Sequence, residues 1–330
     1  MVEVGKNSVI RTVITENEHG QRLDNLLLKR CKGVPKSHVY SIVRSGQVRV
    51  NGRRADVSYR LQAGDVLRIP PLRVASVEQE MVAGAGLQVH VPIVYEDEGL
   101  LVVDKPAGIA VHGGSGESYG LVEALRRQRP EARFLELAHR LDRETSGILL
   151  LGKKRSVLLA LHQMFREGGL AGSGRSADKR YLVLVCGRWM EPLRSVRLPL
   201  LKYLLASGER RVRVADEGKA AHTVFRLLAR WQRFSLLEAE LKTGRTHQIR
   251  VHLAHLGYPI AGDEKYGDFG LNRALAKEGL KRMFLHASRM RLPHPLEGRE
   301  LVVEAAMPAA LKAFVDGLSA KEKQDYGKTV

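Results

Sequence analysis

The sequence predicts two domains: a small basic domain of two short helices and a small sheet, and an α/β or α+β domain of about 230 residues. Three observations lead to this prediction. The chain has 330 residues, more than one small domain needs. Half of its net charge of +18 lies between Arg22 and Arg73. From Val91 onwards the apolar segments lengthen and alternate with helical patterns.

The first domain is predicted over residues 21–70, after an N-terminal extension of residues 1–20. Two segments place apolar residues on one helical face, and the segments after them have strand character, with Asn51-Gly52 as a typical hairpin turn. The predicted elements are helices over Gln21–Lys29 and Ser37–Arg44 and strands over Val48–Val50 and Val66–Ile69. Residues 71–90 mix proline, glycine and charge, which predicts a linker.

The second domain is predicted over residues 91–318. Its apolar runs have the length of buried strands, and two segments between them have helical periodicity and are followed by glycine. Strands are predicted over Leu100–Val103, Gly147–Leu151, Tyr181–Val185 and Leu236–Leu241, and helices over Ser156–Arg166 and Thr246–Leu256. Residues 319–330 lack apolar periodicity, so we expect this tail to fray.

The charge balance favours a polyanionic partner. The chain has 54 Lys and Arg residues against 36 Asp and Glu residues, and basic side chains bind phosphates because they release condensed counterions. A charge surplus that serves only solubility is the alternative interpretation. A membrane surface is disfavoured, because no basic amphipathic helix with bulky apolar residues on its opposite face is evident.

Composition and cysteine usage exclude several classes of protein. No apolar run reaches the roughly 18 residues of a membrane span, and the N-terminus has no apolar signal-peptide core. Cys31 and Cys186 lie far apart without a CxxC partner, which argues against a disulfide framework or a zinc ribbon. We therefore expect a cytoplasmic protein, and a monomer, because nothing in the sequence indicates an interface.

Three other patterns are weak signals. Gly113–Gly120 is rich in glycine but lacks the Lys-Ser/Thr ending of a phosphate loop. His247, His252 and His255 lie close together, but no further ligand of suitable spacing follows, so packed or RNA-facing histidines are the better interpretation. Ser146 is not in the GxSxG turn of hydrolases. The sequence therefore predicts neither a nucleotide nor a metal site.

Residues 139–147 (HRLDRETSG) form the most informative segment of the chain. They place the carboxylate of Asp142 between Arg140 and Arg143, on a loop that leads into a buried strand. Nearby arginines favour an ionised aspartate, which can attack a sugar C1′ or stabilise positive charge there. A structural Asp–Arg cluster is the alternative that this pattern alone leaves open.

The segment HRLDRETSG matches, position for position, the HRLDxxTSG signature of the RluA-type pseudouridine synthases. Other segments of that family follow in the family's order, and the resemblance runs from about residue 12 to 315, nearly the whole chain. Residues 104–112 resemble its NKPxGxxVH segment, with Asp104 in place of the usual Asn, residues 179–181 its KxY motif, and residues 244–250 its GRTHQIR motif. Residues 21–70 resemble an S4 RNA-binding domain, although a basic solvated helix face would look similar.

The resemblance implies an α+β fold, in which an S4-like domain precedes a catalytic domain built on a central mixed, largely antiparallel sheet. It also implies isomerisation of uridine to pseudouridine without cofactor, metal or energy source. Asp142 would be the catalytic carboxylate, either attacking C1′ or assisting a glycal route. Arg250 would pair with it, and Tyr181 would lie against the uracil ring and help a late proton transfer.

The resemblance further implies that the target nucleotide leaves the RNA stack, with Arg140 filling the gap. The residues expected to contact RNA are His139, Arg140, Arg143, Lys179 and Arg245 in the larger domain and Lys36, Arg44 and Arg53 in the S4-like domain. Stretches such as residues 31–37, 110–116, 129–137 and 207–214 resemble the family members that modify several uridines of 23S ribosomal RNA. A synthase acting on tRNA, a non-catalytic RNA-binding or ribosome-assembly protein, and a hydrolytic N-glycosidase are the alternatives.

Residues 167–178 (EGGLAGSGRSAD) depart from the family pattern. They make this segment about seven residues longer than the resemblance leads us to expect, and the added residues are small and flexible, so we predict a mobile surface loop. The loop lies just before Tyr181 in the chain, where it can alter RNA contacts.

Overall fold

A computed structural model describes residues 9–31, 34, 36–72, 89–113, 120–167, 177–206 and 209–327. The chain divides near residue 88 into two compact units. Most of the predicted linker 71–90, part of the glycine-rich segment 113–120 and most of the predicted loop 167–178 lie outside the described residues.

The first unit packs two helices against a three-stranded antiparallel sheet in the order β1-β3-β2. Its elements are β1 (Ile10–Val13), α1 (Leu23–Arg30), α2 (Lys36–Arg44), β2 (Arg49–Val50) and β3 (Val66–Ile69), with a short 3₁₀ turn over Glu16–Glu18. β1 pairs with β3 throughout its length, and Ile10 is buried in the core of this unit. The segment predicted as an N-terminal extension therefore contributes an edge strand.

The hairpin turn predicted at Asn51-Gly52 is confirmed. Both residues have positive φ, 52° and 75°, as the tight two-residue turn requires. Val50 and Arg53 exchange two backbone hydrogen bonds of 3.0 Å across it. The Oδ1 atom of Asn51 accepts a hydrogen bond from the backbone N–H of Val66 at 2.7 Å, which ties the turn to β3.

The second unit is built on a mixed sheet. Its strands are β4 (Ile93–Glu96), β5 (Leu100–Lys105), β6 (Glu136–Leu137), β7 (Ser146–Gly152), β8 (Asp178–Cys186), β9 (Leu193–Arg197), β10 (Leu200–Leu204), β11 (Arg210–Val214), β12 (His222–Arg230), β13 (Phe234–Leu241), β14 (Leu285–Pro293) and β15 (Glu300–Glu304). Its helices are α3 (Leu121–Gln128), α4 (Arg155–Glu167), α5 (Gln248–His255), α6 (Phe269–Lys277) and α7 (Ala309–Gly327).

The main sheet runs in the order β4-β5-β7-β14-β8-β13-β12-β9, with β6 added to β7 and β15 to β14. Strands β10 and β11 form a separate antiparallel hairpin. β7 and β14 pair in parallel, whereas the other strand pairs of the described residues are antiparallel. The expectation of a mixed, largely antiparallel sheet is therefore confirmed.

Helices cover both faces of the sheet, which explains why the sequence has continuous apolar runs rather than simple alternation. Leu101 and Val103 of β5 face α3 and α5, whereas Leu100 and Val102 face α4. α7 packs Leu311, Phe314 and Leu318 against β8 and β13. The predicted strands are found as β5, β7, β8 and β13, and the predicted helices as α4 and α5.

Gly147 makes the parallel contact between β7 and β14 possible. Its φ is 109°, and a Cβ atom there would lie 2.2 Å from the carbonyl oxygen of Ala287 on β14. Any larger residue would separate the two strands. Because Gly147 is the second residue of β7, this close packing also fixes the end of the loop that contains Asp142.

The C-terminal helix is longer than the sequence suggested. We predicted that the chain frays after residue 318. This prediction is wrong for residues 319–327, because α7 continues to Gly327. The hydroxyl of Ser319 accepts a hydrogen bond from Nε1 of Trp231 at 3.3 Å and holds the helix to the domain. Across the described ranges, the helices are all too short or too polar for one of them to cross a lipid bilayer.

Candidate active site

A pocket of about 530 Å³ lies where the loop before β7, strand β8 and the segment leading into α5 meet. The loop contributes Asp142, the strand contributes Tyr181, and the helix contributes Arg250. Seven of the residues that the sequence predicted for the site line the pocket, namely His139, Arg140, Asp142, Lys179, Tyr181, Arg245 and Arg250. The structure thus brings together residues from three distant parts of the chain.

Asp142 forms an ion pair with Arg250. The Nη1 atom of Arg250 donates to Oδ2 of Asp142 at 3.0 Å. The side chain of Asp142 is 25% exposed, whereas that of Arg250 is only 9% exposed. The carboxylate is therefore fixed by a buried guanidinium but stays accessible from the pocket.

Asp263, which no sequence motif indicated, holds Arg250 from behind. Its two carboxylate oxygens accept hydrogen bonds from Nε and Nη2 of Arg250, each at 2.8 Å. Burial opposes ionisation of both groups, but their mutual hydrogen bonds and charges raise the pKa of Arg250 and lower the pKa of Asp263. This bidentate pair leaves Nη1 as the nitrogen aimed at Asp142.

Tyr181 lies in the pocket wall on β8. Its neighbours across the sheet are two small residues, Ala239 on β13 and Ala287 on β14. Burial, reinforced by the charge of Asp142, raises the pKa of Tyr181 far above its ordinary value. The phenol therefore stays protonated at neutral pH and presents a flat apolar face with a neutral hydroxyl.

Lys179 and His139 form the side of the pocket next to Tyr181. The Nζ atom of Lys179 lies 4.4 Å from the centre of the Phe165 ring, a cation–π contact, and burial lowers the pKa of Lys179 to about 8. His139 packs edge-on against the same ring at 5.4 Å. Its Nε2 atom accepts a hydrogen bond from the backbone N–H of Leu150 at 3.1 Å, so this nitrogen supports the loop.

The three predicted arginines at the pocket have different surroundings. Arg140 is exposed at the rim, and its guanidinium forms no hydrogen bond or ion pair with another side chain of the described residues. Arg245 is also exposed, and its Nε donates to the carbonyl of Ala220 at 3.1 Å. Arg143 is exposed outside the residues that line the pocket and pairs with Glu144 at 3.3 Å.

Two buried polar side chains support the pocket loops. The Nζ atom of Lys105 donates to the carbonyls of Pro106, Ile109 and Arg143 at 2.7–3.0 Å, and burial lowers its pKa to about 7. Gln248 accepts hydrogen bonds from the backbone N–H of Arg245 and from the hydroxyl of Thr243. Both side chains fix segments of the chain that carry predicted site residues.

The RNA-binding residues predicted in the first unit lie on α2 and on the hairpin turn. Lys36 is the first residue of α2 and Arg44 its last. Arg44 is exposed and lies 5.9 Å from the centre of the Tyr40 ring. Arg53 is exposed beside the turn at Asn51-Gly52. Both arginines are thus accessible to a polyanion.

The histidines near the pocket do not form a metal site. His252 is buried, with Nδ1 and Nε2 engaged by Thr223 and the carbonyl of Leu198, whereas His255 is exposed. Within the described ranges, no group of three or more His, Cys, Asp or Glu side chains is placed to hold a metal ion. His247 instead lies beside Asp142, with Nε2 at 3.7 Å from Oδ1.

Comparison with known proteins agrees with this geometry. The model of the RNA pseudouridylate synthase family matches residues 99–255, and the S4 domain model matches residues 21–67. Ribosomal large subunit pseudouridine synthase C of Escherichia coli (strain K12) is 50% identical over 316 residues, which cover 94% of this chain and 97% of that protein. The protein of the same name from Pasteurella multocida (strain Pm70) is 48% identical over 96% of each chain.

Among solved structures, human RNA pseudouridylate synthase domain containing 4 covers 73% of this chain with a TM-score of 0.55 and 24% identity, which shows a shared fold. An S4 domain joined to a mixed sheet with an arginine-bound carboxylate in its pocket defines an RNA-modifying enzyme. The chain belongs to the RNA pseudouridylate synthase family. The resemblance to its RluA-type members, first seen in residues 139–147, is confirmed.

Proposed function

We propose that this enzyme isomerises specific uridines of 23S ribosomal RNA to pseudouridine, with Asp142 as the catalytic carboxylate. The observation that carries the proposal is the accessible carboxylate of Asp142, held at 3.0 Å by the buried Arg250. The name of the bacterial relatives, which are similar over nearly the whole chain, supports large-subunit ribosomal RNA as the substrate class.

The reaction needs a group that acts at C1′ of the flipped uridine. The N1–C1′ bond breaks, the uracil turns, the C5–C1′ bond forms, and the C5 proton is lost while N1 gains one. Asp142 either attacks C1′ or assists elimination to a glycal, and Arg250 keeps its carboxylate aimed at the sugar. Atoms and electrons balance without any added reagent, so the proposal includes no cofactor and no metal.

Tyr181 and Lys179 fit roles beside the uracil. The side chain of Tyr181 lines the pocket, and its neutral phenol offers a flat surface for the ring while the base turns. The Lys179 ammonium fits a uracil carbonyl or a phosphate oxygen of the flipped nucleotide. The high pKa of Tyr181 argues that its phenol acts as a surface or a hydrogen-bond donor rather than as a strong base.

The RNA itself would be held by exposed basic residues. Arg140 at the pocket rim would fill the gap that a flipped nucleotide leaves. Arg245 and Arg143 fit contacts to the flanking backbone, and His139 supports the loop that carries Arg140. In the first unit, Lys36, Arg44 and Arg53 would supply phosphate contacts that add affinity without sequence choice.

We also propose that the enzyme acts as a monomer in the cytoplasm, without a membrane partner. The net charge of +18 suits ribosomal RNA as its main partner. The domain limits proposed for function are an S4-like domain up to about residue 70 and a catalytic domain from about residue 91.

The substrate is tested with transcripts labelled with tritium at uridine C5. Incubation of a 23S transcript with the enzyme should release tritium, without free uracil, and the modified positions can then be mapped. Release from tRNA transcripts but not from 23S RNA would contradict the substrate proposal. Free uracil would indicate an N-glycosidase instead, and RNA binding without any release would indicate a non-catalytic protein.

A further inference from the structure

His247 reaches the site through a left-handed backbone conformation, which is uncommon for residues other than glycine. Its φ is 53°, in the left-handed region, immediately before α5 begins. Residues other than glycine are strained there, and such strain persists where the surrounding structure holds it. The conformation places Nε2 of His247 3.7 Å from Oδ1 of Asp142, the carboxylate oxygen that Arg250 does not contact.

Tyr266 contacts the ring nitrogen of His247 that faces away from Asp142. The hydroxyl of Tyr266 lies 2.8 Å from Nδ1 of His247 and accepts a hydrogen bond from the backbone N–H of Val212 at 3.0 Å. Within the described ranges, Nδ1 of His247 is the one acceptor for the proton of this hydroxyl. When this hydroxyl donates to Nδ1, the proton of the neutral ring lies on Nε2, the nitrogen that faces Asp142.

Burial favours this neutral form. It lowers the pKa of His247, with Arg250 and Lys265 acting in the same direction, whereas Asp142 and Asp263 oppose them. A distance of 3.7 Å is too long for a hydrogen bond. Catalytic hydrogen bonds are, however, often long in the free enzyme and shorten when substrate binds.

We propose that His247 is a positioning residue for the reaction: it donates its Nε2 proton to Oδ1 of Asp142 when RNA occupies the pocket. Arg250 alone holds one oxygen and leaves the carboxylate free to rotate about its Cβ–Cγ bond. A second donor on the other oxygen fixes the plane of the carboxylate relative to C1′. The inference rests on the proposed catalytic role of Asp142.

The hairpin β10–β11 sets the position of this second donor. Val212 lies on β11, and its N–H holds the Tyr266 hydroxyl that in turn holds His247. The loop that carries Tyr266 is bound to the same strand, because Nζ of Lys265 donates to the carbonyl of Arg210 at 2.8 Å and Arg211 donates back to the carbonyl of Lys265 at 3.1 Å. The hairpin therefore positions Tyr266, and Tyr266 in turn positions His247 beside Asp142.

Two substitutions at His247 distinguish the roles of its two ring nitrogens. In His247→Gln, the amide nitrogen can occupy the place of Nε2 and still donate to Asp142. In His247→Asn, the shorter amide can replace only Nδ1 and keep the contact with Tyr266. His255→Asn, at an exposed position of the same helix, is the matched control.

The measurements are the single-turnover rate of tritium release from a 23S transcript, the RNA dissociation constant and thermal unfolding. His247→Asn should lower the rate by about 10- to 100-fold, the equivalent of one hydrogen bond to a charged group, with unchanged RNA affinity. His247→Gln should keep most of the wild-type rate. The rate of Tyr266→Phe should lie between the rates of the two His247 variants. Equal losses in the Gln and Asn variants, or full activity of the Asn variant, would overturn the inference.

Asp142→Asn, assayed in parallel, separates this inference from the proposal on which it rests. If Asp142→Asn is active, the catalytic assignment itself fails. Suppose that Asp142→Asn releases no tritium while His247→Asn releases it at the wild-type rate. Asp142 then remains the catalytic carboxylate, and only the role of His247 is refuted. An Asn variant with lowered RNA affinity and an unchanged rate would assign His247 to RNA binding and would equally contradict the inference.

Discussion

The Nη1 atom of Arg250 lies 3.0 Å from Oδ2 of Asp142, although 108 positions separate the two residues in the chain. The contact joins the loop before β7 to the first turn of α5. Both elements are anchored elsewhere: the loop by Lys105 and Gly147, and the helix by Gln248. The geometry of the ion pair is therefore a property of the whole fold, and it makes several outcomes predictable.

Asp263→Asn should lower the catalytic rate. The neutral amide cannot accept both hydrogen bonds of Arg250, so the guanidinium loses its fixed orientation toward Asp142. Misplacement of a catalytic group by about 1 Å can cost on the order of 10²-fold in rate, and we expect a loss of that size with unchanged RNA affinity. The single-turnover rate of tritium release measures it.

Asp268→Asn is the matched control for that substitution. Asp268 caps the N-terminus of α6 by accepting a hydrogen bond from the N–H of Leu271 at 2.9 Å, and asparagine caps helices equally well. Its rate should equal that of the wild type. Equal rates for the two variants would show that Asp263 does not act through Arg250.

Gly147→Ala should unfold or strongly destabilise the catalytic domain. A Cβ atom there would meet the carbonyl of Ala287 at 2.2 Å, in addition to the strain of a φ of 109°. Gly279 has a similar φ of 104°, but a Cβ atom there would meet nothing within 4 Å, so Gly279→Ala isolates the strain alone. We expect Gly147→Ala to be the more destabilising by at least about 2 kcal/mol in urea unfolding. Similar losses in both would refute the close packing of β7 on β14.

His139 should make stability depend on pH. Burial lowers its pKa to about 3 in the folded protein, from 6.5 in an exposed histidine. Below pH 6.5 the unfolded chain binds a proton that the folded protein does not, so the free energy of unfolding falls as pH falls from 6.5 toward 3. Between pH 7.5 and 5.0 the contribution amounts to about 2 kcal/mol.

The variant His139→Gln keeps an acceptor for the N–H of Leu150 but does not titrate in this range. The wild type should therefore lose about 2 kcal/mol more than this variant between pH 7.5 and 5.0, measured by urea unfolding. The other histidines contribute equally to both proteins and cancel. Parallel pH profiles would show that His139 is not held neutral by burial.

The double variant Arg44→Gln/Arg53→Gln should weaken RNA binding in a salt-dependent manner. Each lost phosphate contact lowers the slope of log K against log salt by about 0.7–0.9, so the pair should lower it by about 1.4–1.8. The rate at saturating enzyme should not change. Lys277→Gln/Lys312→Gln, at exposed positions of α6 and α7, is the control with the same charge change. An equal slope in the wild type, the arginine variant and the lysine variant would show that these arginines do not contact the RNA.

Most of the fold could be predicted because the central strands have continuous apolar runs. β5 and β7 are buried on both faces, so their residues leave a clear signal in the sequence. β1 was missed because four residues with one buried end have no distinct pattern. α5 starts at Gln248 rather than at Thr246 because His247 adopts a left-handed conformation, which no spacing in the sequence reveals.

The site was only partly predictable, because the sequence does not show contacts between residues that meet only in the folded chain. Asp142, Tyr181 and Arg250 lie in segments that resemble a known family, and the structure places all three in one pocket. Asp263 and Tyr266 were missed because their roles depend on contacts that form only when the chain folds. His139 was predicted to contact RNA, whereas the structure directs its Nε2 atom to a backbone N–H inside the fold.

Catalysis of the isomerisation by the carboxylate of Asp142 can be tested in a single experiment. Wild type and Asp142→Asn are incubated in excess over a 23S transcript labelled with tritium at uridine C5, and RNA binding by both proteins is measured alongside. We predict tritium release by the wild type, none by Asp142→Asn, and similar RNA affinity for the two. Release by the Asn variant at a rate near that of the wild type would contradict the catalytic role of Asp142.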